Sequence, residues 1–343
     1  MSMPETGERA MMPAPHEMTV DRYPLHAPQG SELLVATEAS AISAGTELAV
    51  YTGIHQWLND PTRTWPRFPF VPGYSGVGRV IATGQDVQGY AVGDRVIWEA
   101  RHESHAIIDL AHAPLIRTIG DTLPADVAAF AVLARFPLTA VVQSGAVMGQ
   151  GVAVFGLGLI GQIALRLYAA AGAYPLYGID TVAQRRAIAE TIPGVRAIDP
   201  GAGDLGEQLR AANSGALPEI TVDATGAPNA VKSAMRVVAD GGKVIMVGSP
   251  RGIAGDVDFY WDLHGRSIQL IGAHGSAIGT TARERFPFVR DRALRLLVHL
   301  LETGRLDLTE IITHRVRGDA LKPVYDGLLN DRDAYIGVAV HWG

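Results

Sequence analysis

The chain contains no cysteine. Disulfides, catalytic thiols, thiolate zinc sites and iron–sulfur clusters are excluded together, and nothing in the sequence asks for an oxidising compartment. Lysine is nearly as scarce: Lys232, Lys243 and Lys322 are the whole supply, which leaves few candidates for a lysine base or Schiff base. Charge of neither sign gathers into a run. The formal net charge of -6 offers no electrostatic footprint for a phosphate backbone, so nucleic acid is not an expected partner. The longest apolar stretch, Gly151 to Tyr168, is interrupted by Gln162 and Arg166 and reads as part of a fold rather than a membrane span. Residues 1–12 mix acid and base without an apolar core and do not read as a signal peptide. The expectation is a cytoplasmic protein that meets a small molecule and no membrane, with assembly as a homodimer left open.

What is present is globular. A length of 343 residues with 48% hydrophobic and 19% charged content exceeds what one core usually organises, so two domains are expected. Up to about Ile119 the pattern is short β-rich runs, Leu33–Ala36, Val77–Ala82 and Arg95–Trp98, separated by Gly-, Asp- and Pro-containing turns. From Ala125 the texture changes. Alanine-rich helical stretches at 125–133 and 161–172 alternate with apolar runs at Val152–Phe155, Leu176–Ile179, Glu219–Val222, Lys243–Val247 and Ile268–Ile271. Such alternation implies a parallel sheet covered on both faces, an α/β fold, and a further helix is expected over Arg290–Thr303.

The first of those runs leads into Gly156-Leu157-Gly158-Leu159-Ile160-Gly161 and a helix, and Asp180 closes the next run at about the 20-residue distance of a dinucleotide fingerprint. Gly156 makes the tight turn, Gly158 admits the pyrophosphate, Gly161 lets helix and strand approach, and Leu159 and Ile160 open the helix whose N-terminus faces the phosphates. Asp180 would accept the ribose hydroxyls and repel a 2'-phosphate. NAD is favoured over NADP, although Arg185 and Arg186 leave room for the latter. Two further strand ends, Ala224-Thr225-Gly226 and Val247-Gly248-Ser249, supply small residues where the rest of the cofactor would pass.

Pro72-Gly73-Tyr74-Ser75-Gly76-Val77-Gly78-Arg79-Val80 followed by Gly93-Asp94-Arg95-Val96, together with Gly45-Thr46-Glu47 and the dinucleotide fingerprint, resembles the medium-chain dehydrogenase/reductase superfamily, the zinc alcohol dehydrogenase relatives. The resemblance implies a GroES-like β-rich catalytic domain over 1–134, a Rossmann doubly wound parallel sheet over 135–275, and a return to the first domain over 276–343, with the active site in the cleft between the domains. The departures are as informative. Ala44 stands where the family places its ligand cysteine and Tyr74 where it places the ligand histidine; around the third ligand position the text is Leu133-Ala134-Arg135-Phe136, and too few residues separate Asp94 from His105 for a structural zinc lobe. The chain is similar to a zinc-independent branch that includes bacteriochlorophyllide and sugar or cyclitol dehydrogenases. No metal is expected.

Without a metal, side chains must stabilise the developing oxyanion and move one proton. Tyr74 and Thr46 stand in the segments of ligand and proton relay, and Glu47 is either a buried base or a partner for Arg135; that guanidinium, in an otherwise apolar stretch, pairs with Glu47 or another acid or binds an anionic or polyhydroxyl substrate. Tyr51, in the same segment, and His274, after a strand end, are candidate substrate contacts. His102 and His105 show an H-x-x-H spacing, but a strand does not put those positions on one face, and His105 is read as a general acid or substrate contact instead. Between Gly53 and Pro72, His55, Trp57, Arg63, Trp65 and Arg67 read as a substrate wall whose aromatic faces suit a ring bearing hydroxyls. The function expected is that of an NAD(H)-dependent alcohol dehydrogenase or ketone reductase acting on a polyol-like secondary alcohol, a sugar or cyclitol. The alternatives are an NADPH-dependent enone or quinone reductase and a nucleotide-binding protein without turnover.

Overall fold

The computed structural model describes residues 3–112, 115–279 and 288–343. The chain divides into two compact units: Met1–Leu133, Leu294–Thr303 and Ile312–Gly343 make the first, and Ala134–Ala293 with Gly304–Ile311 the second.

The first unit opens on an antiparallel hairpin, β1 (Thr6–Met11) and β2 (Thr19–Pro24), which the charged, weakly alternating sequence of these segments does not announce. Then follow β3 (Glu32–Ala41), helix α1 (Ala44–Tyr51), β4 (Gly76–Thr83), β5 (Arg95–Trp98), β6 (His105–Asp109) and β7 (Ile116–Thr118). Strand β3 is the hub: it pairs with β4 and with β6, both antiparallel. Its inward residues Leu33 and Val35 pack with Val80, Val96, Trp98, Ala106 and Ile108. Helix α2 (Ala125–Ala128) is shorter than the helical run read over 125–133. The cause is Ser75, whose hydroxyl donates to the Ala129 carbonyl and accepts from Leu133 N–H at 3.3 Å. In a continuing helix those two backbone groups would bond each other.

The second unit contains α3 (Arg135–Ser144), β8 (Val152–Phe155), α4 (Leu159–Ala170), β9 (Leu176–Ile179), α5 (Ala183–Ala189), β10 (Val195–Ile198), α6 (Leu205–Ala212), β11 (Ile220–Asp223), α7 (Pro228–Val237), β12 (Lys243–Met246) and β13 (Gln269–Gly272). Its sheet runs β10-β9-β8-β11-β12-β13, parallel throughout. Short, fully buried strands such as β8, with both faces covered, are what a parallel sheet requires of its centre. β10, a four-residue strand of mixed polarity, was not expected from the sequence. The order reverses between β8 and β11, and the carboxyl ends at such a switch point form the crevice where α/β sheets take their ligands.

Most of helix α8 (Arg290–Glu302) already belongs to the first unit, where β14 (Ile312–Arg317) and β15 (Gly337–His341), joined through α9 (Leu321–Asn330), complete the seven-stranded sheet β14-β15-β3-β4-β5-β7, with β6 paired to β3 as the seventh strand. Leu321, Tyr325, Val338 and Val340 share a core with Met12, Val50, Tyr51 and Phe70. Among the described residues no helix is long and apolar enough to cross a membrane.

Candidate active site

In the second unit the glycine fingerprint forms the turn between β8 and α4. Gly156 has φ +84°, and a Cβ there would lie 2.5 Å from Thr225 Cγ2. A Cβ on Gly161 would fall 1.7 Å from the Gly156 carbonyl oxygen, so only glycine lets the helix start this close to the strand. Around Gly158, the residue before α4, a Cβ would meet nothing within 4 Å. This open approach to a helix N-terminus, at Leu159 and Ile160, is a cradle that fits a dinucleotide pyrophosphate. Asp180 follows β9, almost wholly buried: Oδ2 accepts from Leu157 N–H at 2.7 Å, Oδ1 from Val182 N–H at 2.8 Å, and Arg185 Nη1 stands 3.7 Å away. The acid thus holds the glycine turn in shape, a duty that spacing alone does not disclose.

The other two expected cofactor turns converge. Asp223, buried and with its carboxyl pushed up by desolvation, accepts from Thr225 N–H, Thr225 Oγ1 and Gly226 N–H, shaping the bend at Ala224-Thr225-Gly226. That bend touches the one at Val247-Gly248-Ser249: a Cβ on Gly248 would lie 2.3 Å from Gly226 N.

In the first unit a polar network surrounds Glu47. The carboxylate is 1% exposed, and three donors from separate segments converge on it: Ser43 N–H to Oε1 at 2.8 Å, His102 Nε2 to Oε2 at 3.0 Å, and the Tyr325 hydroxyl to Oε2. Burial alone would raise the Glu47 carboxyl; the imidazole beside it and the three hydrogen bonds outweigh that and hold it below the usual carboxylate range. Tyr325, wholly buried and next to this anion, has its phenol driven well above the ordinary value. His102 meets Ser40 Oγ through Nδ1 at 2.8 Å, and Ser40 accepts from Trp342 Nε1 at 3.2 Å. Above the network, the half-buried Tyr74 donates its hydroxyl to Ser43 Oγ. Thr46 lies half-buried one residue before Glu47.

Thr46, Glu47 and Tyr74 therefore belong to one unit, whose Glu47 is satisfied by His102 and Tyr325, while Arg135 begins α3 of the other. Arg135 is buried there with its guanidinium carbon 5.8 Å from the Phe136 ring centroid. Phe136 packs under the turn at Gly275, next to His274, an exposed residue whose Nδ1 accepts from Ser276 N–H.

One expectation is corrected. Tyr51 offers no surface to a substrate: its ring is wholly buried, 5.4 Å from that of Tyr325, and its hydroxyl is held by Asp326 at 2.7 Å and Lys322 at 3.2 Å. His105 stays outside the Glu47 network. Alternation along β6 turns Ala106 and Ile108 into the core and His105 to the other face, where Nδ1 meets Ser104 Oγ at 3.0 Å and burial pushes the imidazole pKa down. His102, Ser43, Tyr325, Ser40 and Trp342 were missed by sequence reasoning. An acid inside the apolar segment Ala44–Tyr51 was the available signal, since a buried carboxylate demands donors.

A catalytic zinc asks for three protein ligands. Among the described residues no group of three His, Cys, Asp or Glu is placed to hold a metal ion; the side chains that meet Glu47 and Tyr74 are hydroxyls and one imidazole whose ring nitrogens are both engaged, a donor set that does not fit zinc.

The segment between α1 and Tyr74 is an ordered aromatic loop. Trp65 makes edge contacts with His55, Trp57 and Phe70 at centroid distances of 5.3, 5.9 and 6.0 Å, and the Arg63 guanidinium lies 4.9 Å over Trp57.

A dinucleotide cradle at the switch point of a parallel sheet, in a chain whose other, β-rich unit carries a buried acid and a hydroxyl pair, defines a nicotinamide-dependent oxidoreductase. Comparison with known proteins places it further. Residues 29–143 match the alcohol dehydrogenase GroES-like domain, and residues 160–292 the zinc-binding dehydrogenase domain. The chain belongs to the medium-chain dehydrogenase/reductase superfamily, the zinc alcohol dehydrogenase relatives, and its activity is that of an oxidoreductase acting on alcohols. Among its relatives is D-guloside 3-dehydrogenase of Escherichia coli, 24% identical over 314 residues that span 87% of this chain and 89% of the relative. The fold is shared with 2R,3R-butanediol dehydrogenase from Bacillus subtilis (TM-score 0.83, 18% identity, 98% of this chain and 100% of that one). It is shared also with a zinc-binding dehydrogenase from Sinorhizobium meliloti bound to NADP (TM-score 0.78, 21% identity, 98% and 100%).

Proposed function

We propose that this chain is an NAD-dependent, zinc-independent dehydrogenase interconverting a secondary alcohol of a polyol-like compound, a sugar or cyclitol, and the corresponding ketone. The observation that carries the reading is the hydroxyl pair Tyr74–Ser43, seated on an ionised Glu47, in the segments where zinc relatives hold their metal. Bound nicotinamide supplies the two-electron oxidant. Gly158 and the N-terminus of α4 would hold its pyrophosphate, and Asp180 would accept from its adenosine ribose while its negative charge opposes a 2'-phosphate. Tyr74 holds the reacting oxygen and takes the alcohol proton as its own hydroxyl proton passes to Ser43, and the relay, with Thr46 as a further hydroxyl, delivers one proton to bulk water. Glu47 stays ionised throughout and fixes Ser43 through its backbone N–H. The D-guloside relative, named for a sugar derivative, supports the substrate class.

The test is turnover of a polyol panel followed at 340 nm with NAD and with NADP, in EDTA, alongside metal analysis. Activity that persists in EDTA and favours NAD supports the reading. About one zinc per chain, or a preference for NADP, overturns the corresponding half of it.

A further inference from the structure

Arg67 is an unusual arginine: its guanidinium is spent on the backbone of its own loop. Nη1 donates to the carbonyls of Trp57, Leu58 and Pro66 at 2.8, 2.7 and 3.0 Å, and Nη2 to those of Asp60 and Arg63 at 2.6 and 2.5 Å. A planar fork that binds carbonyls from both ends of the loop sets its shape. The loop is tied a second time where Phe70 and Met12 exchange N–H···O bonds of 2.8 Å. Ordering a long loop costs backbone entropy, and these contacts meet that cost before any ligand arrives.

What the latched loop displays is Trp65. His55, Trp57 and Phe70 hold it through edge contacts, yet it remains 43% exposed. An indole fixed this firmly and left in water is a preformed apolar platform beside polar groups, here His55 and the exposed Arg63. Chain continuity puts the platform between α1, which carries Glu47, and Tyr74. Arg63 already occupies the face of Trp57, with Asp60 3.9 Å from its guanidinium, so the indole of Trp65 is the ring of the loop left for a ligand. A flat face of C–H groups rimmed by hydroxyls, as in a pyranose or cyclitol ring, matches the exposed part of the indole. An extended polyol chain presents no such face.

We infer that Trp65, on a loop latched by Arg67, is the specificity-determining residue for the closed ring of the substrate, so that pyranosides and cyclitols are preferred over open-chain polyols. This rests on the polyol dehydrogenase reading above and narrows it. The test compares methyl glucopyranosides and myo-inositol with sorbitol and ribitol as substrates for the full chain with NAD, and follows tryptophan fluorescence as each compound is added without cofactor. Rings should be favoured at least tenfold in kcat/KM and should quench the fluorescence, whereas open chains should not. Trp65→Ala should lower the ring-to-chain ratio about fivefold to tenfold, through KM rather than kcat, the scale of one lost ring contact. Trp65→Phe should restore most of the ratio while removing most of the quench. Equal use of rings and open chains, absence of a quench by rings, or a ratio that Trp65→Ala leaves unmoved overturns the inference and leaves the dehydrogenase reading standing. Failure of every polyol overturns both. Should Trp65→Ala not fold, the Trp65→Phe variant and the wild-type titration decide.

Discussion

Glu47 and His102 meet at 3.0 Å with side-chain exposures of 1% and 0%, an acid and an imidazole brought together in the interior of the β-rich unit. Removing one partner of such a pair leaves the other buried without compensation. His102→Ala should cost roughly 3–5 kcal/mol, measured by denaturant unfolding, whereas a surface histidine such as His112 should change little when replaced.

The same pair fixes the sign of a pH effect. The folded-state pKa of Glu47 lies below the unfolded one, so in the window between them the unfolded chain binds more protons and stability rises with pH. The contribution is fully present above the ordinary carboxylate range and is lost as pH falls through the folded value. Melting curves from pH 7 downward should show a steeper loss for the wild type than for Glu47→Gln. Parallel curves would remove Glu47 from the account.

Gly161 and Gly158 should separate folding from cofactor binding. Gly161→Ala forces a Cβ against the Gly156 carbonyl and should destabilise the fold severely. Gly158→Ala meets no protein atom within 4 Å and has an ordinary φ of -68°, so its melting temperature should be near wild type while NAD binding weakens where the methyl intrudes. Calorimetry and an NAD titration on both variants check this.

Asp180→Ala should lose on two counts. NAD binding should fall by roughly 1–3 kcal/mol as the ribose acceptor disappears, and stability should also drop because Leu157 and Val182 N–H lose their acceptor. Discrimination against NADP should shrink. Unchanged NAD affinity, measured by fluorescence, would place the ribose elsewhere.

Tyr74→Phe removes the hydroxyl that meets Ser43 and should lower turnover by roughly a hundredfold to a thousandfold with the fold intact. If turnover survives in both Tyr74→Phe and Thr46→Val, proton transfer runs through another group.

Much of the fold was legible because the signals were local. The glycine fingerprint, the apolar runs of β8 and β9 and the acid at Asp180 lie within one βαβ stretch, and each means the same thing in isolation as in the structure. The early end of α2 was not legible, since it depends on the Ser75 hydroxyl entering from a distant turn. The Glu47 site was half legible. Thr46, Glu47 and Tyr74 stand in motif positions, but the carboxylate's partners come from β-sheet connections and from α9, and no spacing rule links Glu47 to Tyr325. Tyr51 misled for the complementary reason: it lies one turn after Glu47 on the same helix face, and α9 covers its ring with Tyr325 and engages its hydroxyl with Asp326 and Lys322.

Tyr325 and Trp342 also set the timetable of the molecule's assembly. Glu47 is synthesised early, yet its phenolic donor lies 278 residues further on and the indole that closes the network follows later still. A nascent chain on the ribosome therefore holds the acid without its full set of donors until α9 and β15 emerge, and contacts this far apart in sequence form slowly. The β-rich unit cannot be completed in order of synthesis; the Rossmann unit, whose sheet is continuous in the chain, can mature while the first waits for its last strand.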